Sequence, residues 1–268
     1  MWAGGPRRKA PSPLKWSFYV PGIDRPQFNV NAELARARGH KEIRDQVTLN
    51  DRPLAIVGAG PSVKERLEQL LNWPGDIWAI NGAWDVLRAN GIKSTFFAID
   101  PLPVIAKFAV SGPSDAILAT RCDPAVFDAM KGRVRVVDLD DPTTKFAGGT
   151  TAATWAPYIG LRAGHKRIAF FGCEGSFPPD ASTHAGWSDG LYELIVVSCD
   201  GKEFGTQPSL LVQAEMLADM VAWAPHVFED RSGGLLSALI NDPDYEVTGV
   251  CQELAALMQP INPAEQAA

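Results

Sequence analysis

No apolar run in these 268 residues approaches the ~20 needed to cross a bilayer. Cysteine is sparse: Cys122, Cys173, Cys199 and Cys251 are scattered, with no CxxC pair. That spacing argues against a disulfide frame or a zinc site, and for reduced thiols in a cytosol. Cytoplasmic location is therefore the expectation. Histidine is equally rare, at His40, His165, His184 and His226. No GKT or GKS occurs, which excludes a P-loop. Positive charge is in deficit, with 25 Lys and Arg against 31 Asp and Glu. A net charge of -6 argues against a bulk electrostatic grip on nucleic acid. Internal repeats and low-complexity tracts are missing too. The opening "MWAGGPRRKAPSPLKW" has basic residues with no apolar core behind them. A flexible arm is expected there, not a secretory signal.

What the chain does have is 46% hydrophobic and 21% charged residues, suited to one large α/β domain with an extension. The expected division is an N-terminal extension over 1–50, partly irregular, a Rossmann-like domain over 51–250 and a tail over 251–268. Within the extension, "NVNAELARARGHKEIRD" predicts a helix with Asn31 as N-cap and Gly39 as breaker. From "PLAIVGAG" onward, apolar strands alternate with helical patterns. "VKERLEQLLNW" predicts a helix with Val63, Leu67, Leu70 and Leu71 on one face. "DIWAING", "STFFAIDP", "DAILATRC", "VRVVDLDD" and "HKRIAFFGCEGSF" read as further strands, and "YELIVVSC" as a strand-like run in a loop-rich region. This alternation predicts an α/β, Rossmann-like fold: a mainly parallel sheet with helices on both faces.

In such sheets ligands lie beyond the carboxyl ends of the strands. The first strand end is "GAGPS". Gly58 and Gly60 permit a tight turn and close backbone approach, Pro61 suits a first helical turn, and Ser62 adds a hydroxyl. The helix start behind them offers N–H groups to an anion. The same residues suit a purely structural turn. The dinucleotide fingerprint is broken: Val63 stands at its third small position, and the second strand ends in Asn81 and Gly82 where an acid is expected. Asp100 ends the third strand, where it can hold a sugar hydroxyl, a metal or the next turn. Gly149, Thr150 and Thr151 open a second helix as an anion or ribose site. Gly172 and Glu174 end a later strand, with Glu174 an acid–base candidate. Asp138 and Asp140 form a D-x-D pair, open to Mg²⁺ or Mn²⁺ or to a plain acidic turn. His184, in "DASTHAGWSDG", is the natural general base, because histidine titrates near working pH.

In their order, "IVGAGPSV", "WAINGAWDVLRANGIKSTFFAIDP" and "GGTTAATWAPYIGLRAGHKRIAFFGCEG" resemble one family. It groups the motility accessory factor proteins, which are flagellin glycosyltransferases, with the archaeal 6-hydroxymethylpterin diphosphokinase. The chain is similar, more distantly, to bacterial sialyltransferases of the Campylobacter lipooligosaccharide type. Some relatives of this size are phage-encoded. The resemblance implies a nucleotide site lined by Gly58, Gly60, Ser62, Asn81, Asp100, Thr150, Thr151, Gly172 and Glu174, with His184 matching the sialyltransferase loop base. Glu174 stands where the family often has an aspartate. The function expected is a transferase, first a glycosyltransferase using a nucleotide-activated sugar with no required metal. The alternatives are an ATP-dependent diphosphokinase on a pterin-like alcohol, with Asp100, Asp138 and Asp140 holding metal, and a non-catalytic nucleotide-binding module. The acceptor is left unidentified, and a homo-oligomer is left open.

Overall fold

The computed structural model describes residues 25–43, 50–139, 149, 151–177 and 195–250. His184, Thr150 and Asp140 lie outside the described residues, as do 1–24 and the tail 251–268.

The core is an eight-stranded sheet, and every pairing in it is parallel. In chain order its strands are β1 (Lys41–Glu42), β2 (Leu54–Val57), β3 (Asp76–Ile80), β4 (Thr95–Ala98), β5 (Asp115–Ala119), β6 (Arg133–Val137), β7 (Ile168–Phe171) and, after two strands outside this sheet, β10 (Phe228–Asp230). In space the order is β1-β6-β5-β4-β3-β2-β7-β10. The α/β, Rossmann-like reading is thus correct. Central strands such as "LAIV" and "IAFF" are buried at every residue, as strands covered on both faces must be. Phe96, Phe97, Phe170 and Phe171 are fully buried, each contributing about 1.5–3 kcal/mol.

Helices α2 (Val63–Leu71), α3 (Ala83–Ala89) and α4 (Pro124–Asp128) connect strands that step outward from β2. Helices α5 (Ala152–Arg162) and α6 (Pro208–Trp223) connect strands that step the other way. Right-handed crossovers therefore place the two groups on opposite faces. Consistently, α6 packs against both α5 and α7 (Gly234–Asn241). Among the described residues no helix is long and apolar enough to cross a membrane.

Two expectations are corrected. Helix α1 starts at Arg25, so Asn31 is no cap. It is an interior residue, 1% exposed, whose amide donates to the Arg121 carbonyl at 3.0 Å. Nearby, β1 pairs with β6 and α1 packs on α4. On α2, Leu71 is 60% exposed while Val63 and Leu70 are buried, because a helix turns about 100° per residue and Leu71 falls off the face that Val63 and Leu70 share. The strand-like run expected in the loop-rich region is a strand over its described part, "IVVSC", but outside the main sheet. β8 (Ile195–Cys199), β9 (Lys202–Thr206) and β11 (Tyr245–Val250) form a separate antiparallel sheet ordered β11-β8-β9. Asp200 and Gly201, both at positive φ, make the two-residue turn between β8 and β9.

Candidate functional site at the carboxyl edge

From β2 the chain steps outward strand by strand to β6, then returns to the other side of β2 as β7 and β10. The direction of winding reverses between β2 and β7, which is where a doubly wound sheet opens a crevice at its carboxyl ends. The two expected glycine turns meet there. Gly58 N–H donates to the Phe171 carbonyl at 2.8 Å and Gly60 N–H to the Gly172 carbonyl at 3.0 Å. A Cβ on Gly58 would run into the Gly172 carbonyl oxygen and lie 3.0 Å from Cys173 Sγ. Gly172 has φ +61, and a Cβ on it would strike Val63 and the Gly58 carbonyl. Backbone crosses backbone here, so only glycine fits at either position.

Glu174 sits on this crossing, 7% exposed. Its Oε1 accepts from Ser62 N–H at 2.9 Å and its Oε2 from the Ser62 hydroxyl at 3.0 Å. Burial raises its pKa, against the bonds from Ser62 and its own amide, and nearby Asp230 adds to the rise. Pro61 is half-buried in the turn just before α2. A third glycine loop closes behind the carboxylate. In "DRSGG", Gly233 and Gly234 have φ +84 and +63, and a Cβ on Gly234 would lie 2.7 Å from Glu174 Cβ. Asp230 holds that loop through Ser232 N–H at 2.7 Å. Ser232 accepts from Cys173 N–H at 2.9 Å.

One strand over, β3 ends in Asn81 at φ +47, a left-handed conformation in a residue that is not glycine. Asn81 Nδ2 donates to Asp100 Oδ2 at 3.3 Å. Its Oδ1 is buried with no hydrogen-bond partner among the described residues. Gly82 follows at the N-cap of α3, buried. Burial raises the Asp100 pKa, against the Asn81 bond and the Arg121 charge. Cys122 is buried nearby, its thiol pushed up by burial and by Asp100.

The α5 start behaves as a cap. Thr151 and Thr154 form a capping box, and the Thr151 hydroxyl donates to Gln213 Oε1 at 2.8 Å. Gly149 lies against Thr154, where a Cβ would meet that side chain. Asp138 is bonded rather than free. Arg36 of α1 pairs with its Oδ2, and Thr120 donates to its Oδ1 at 3.3 Å. A cation there would face a guanidinium, so Asp138 does not fit the metal alternative. Among the described residues no group of three His, Cys, Asp or Glu is placed to hold a metal ion.

The structure thus brings together Gly58, Gly60, Pro61, Ser62, Gly172 and Glu174 at the crevice, and Asn81 with Asp100 beside it. Sequence reasoning missed Ser232 and Gly234, although the "SGG" in the last glycine turn was a visible signal for a loop pressed close to its neighbour. Arg36 was not foreseen, since nothing local ties it to a strand end 102 residues away. No protein-family model matches the chain and no curated protein matches its sequence, so the functional reading rests on the geometry of this edge.

Proposed function

We propose that the chain is a nucleotide-dependent transferase, first a glycosyltransferase, whose donor nucleotide lies along the carboxyl edge against Asn81 and Asp100. The observation that carries this reading is Asn81. Its left-handed backbone and its unpartnered, buried carbonyl oxygen both cost stability. An unpaired buried acceptor costs about 1–3 kcal/mol. Strain and missing partners of this kind gather at ligand sites. The missing partner is a donor group, such as a ribose hydroxyl or a base amine, and Asp100 beside it offers further acceptors. In transfer, the acceptor oxygen bonds to the sugar's anomeric carbon while the bond from that carbon to the nucleotide phosphate breaks. The phosphate leaves with the electron pair, and the acceptor proton passes to a base, for which His184 is the candidate.

Thermal denaturation with CMP, UDP, GDP and ATP tests the reading. A ligand that binds only the folded state adds about 2.7 kcal/mol at 100 times its Kd. One of the four is expected to stabilise the wild type and to fail with Asn81→Ala; no stabilisation by any nucleotide would sink the proposal. A binding module without turnover is the second reading. It is favoured by Glu174, whose two oxygens are both engaged by Ser62 and so are poorly placed for acid–base work. Release of free nucleotide from CMP- or UDP-sugars separates the two.

A further inference from the structure

The Gly58–Ser62 turn has the form of a phosphate cradle, a tight glycine turn leading into the nine-residue helix α2. From Gly60 onward its donors can be accounted for one by one. Gly60 N–H goes to Gly172, and Ser62 N–H to Glu174. Pro61 has no N–H. Val63, Lys64 and Glu65 donate to the carbonyls of Gly60, Pro61 and Ser62. From Gly60 to Glu65 no backbone donor is left for an outside anion, and the Ser62 hydroxyl is used as well.

We propose that Glu174 is the resident anion of this turn and that it excludes phosphate from it. The carboxylate lies where a phosphate would sit, at the positive end of α2, bound by the two Ser62 donors that a phosphate would use. Gly60 lacks a side chain because the carboxylate fills that space: a Cβ there would lie 2.6 Å or less from both its oxygens. So this glycine serves approach by the chain's own carboxylate. Glu174 is also fixed from behind. Its backbone carbonyl accepts from Leu236 N–H at 2.9 Å, and a Cβ on Gly234 would lie 2.7 Å from its own Cβ. Ser62, after β2, thus fastens the side chain, and the segment after β10 fastens the backbone that carries it. Resting on the nucleotide reading, a consequence follows for specificity: the donor meets this edge through Asn81 and Asp100, and its phosphate charge is carried away from the first turn.

Inorganic pyrophosphate is the probe, titrated into the full chain while the Ser62 amide is followed by nitrogen–proton NMR. In wild type that amide is expected to stay in place. In Glu174→Ala it is expected to shift, with pyrophosphate bound about tenfold or more tighter than by wild type, the worth of a charge-assisted hydrogen bond. Removing Ser62 as well, in Glu174→Ala with Ser62→Ala, should weaken that new binding again. Movement of the Ser62 amide in wild type, or equal pyrophosphate affinity in wild type and Glu174→Ala, would overturn the assignment. If Glu174→Ala does not fold, the wild-type titration decides alone. The nucleotide reading fails separately: no shift of the Asn81 amide with CMP, UDP, GDP or ATP would sink it and leave Glu174 as the resident anion.

Discussion

The two edges of the main sheet use charge in opposite ways. At the amino edge, Asp76, Thr95, Asp115, Arg133, Arg135 and His165 line a cavity of about 200 Å³. Its acids are paired. Asp115 accepts from Arg133 at 2.8 and 3.2 Å and from Thr95 at 3.1 Å. Asp76 pairs with Arg52 at 3.2 Å. Burial alone would raise the Asp115 pKa, but the bonds and charges of Arg133 and Arg135, with the Thr95 hydroxyl, lower it. His165 is lowered chiefly by burial. At the carboxyl edge, Glu174 and Asp100 are both pushed up by burial, and neither forms an ion pair among the described residues. Acids held charged by guanidiniums serve the fold. Acids pushed up by burial and outside any described ion pair, with Asp100 beside a strained residue that carries an unpaired oxygen, have the signature of a site.

The largest effect should come where the carboxyl edge has no space at all. Gly58→Val drives a side chain into the Gly172 carbonyl, and backbone on both sides cannot yield cheaply. A loss of about 3 kcal/mol or more is expected in urea unfolding. Wild-type stability in this variant would mean that the β2–β7 crossing is looser than described.

A paired substitution tests the contrast itself. Asp115→Asn takes the charge from between Arg133 and Arg135, and should cost about 1–2 kcal/mol at neutral pH, the side chain being only partly exposed. Asp100→Asn replaces a carboxyl already disfavoured as an anion, so its cost should stay within about 0.5 kcal/mol. Nucleotide affinity should reverse the ranking, falling in Asp100→Asn and holding in Asp115→Asn. Equal stability losses in the two variants would erase the distinction between the edges.

Much of this edge was legible because parallel strands are local signals. Runs such as "LAIV" and "IAFF", each ending in glycine, located the strand ends, and the glycines of "GAGPS" and "GCEG" do meet. The sequence could not say what meets them. Glu174 reaches Ser62 across 112 residues, and only the strand order, with β7 returning beside β2, makes that contact. Helix α1 was misplaced for a similar reason: a polar residue at a helix start looks like a cap, whereas Asn31 is held by a carbonyl 90 residues away. The three-stranded sheet was missed, although Asp200-Gly201 between two apolar runs is a strong short-range hairpin signal.

Titration offers a subtler contrast, because the two edges should respond to pH with opposite slopes. Folded Glu174 keeps its proton to a higher pH than an ordinary glutamate, whose value is near 4.5. Between those two values the native state binds more protons than the unfolded state. The stability from Glu174 is therefore present below 4.5 and lost as pH rises through its folded value. Asp115 does the reverse: its contribution is present above the ordinary 3.8 and lost as pH falls through its lowered value. Urea midpoints should show Glu174→Gln flattening the decline above 4.5 and leaving the acid limb intact. An unchanged decline in that variant would show that burial of Glu174 does not set the slope at this edge.

The one stability change expected to be a gain should come at the residue most informative about function. Asn81 holds φ +47, a region that costs an ordinary L-residue roughly 1–2 kcal/mol and glycine nothing. Asn81→Gly relieves that strain and removes the buried oxygen that lacks a donor. It also gives up the bond to Asp100 and adds chain entropy in the unfolded state, so the net change should be a gain of under about 1 kcal/mol. If the oxygen is kept for a ligand, the same variant must lose what wild type does with nucleotides: the thermal shift that the best of CMP, UDP, GDP and ATP produces should disappear while the unliganded protein melts at or above the wild-type temperature. Stability and binding then move in opposite directions at one atom, as expected where an unsatisfied group is maintained for use and not for folding. A variant that is less stable yet binds nucleotide as wild type does would show that Asn81 serves only the turn into α3, and the carboxyl edge would then hold no more than the amino edge does.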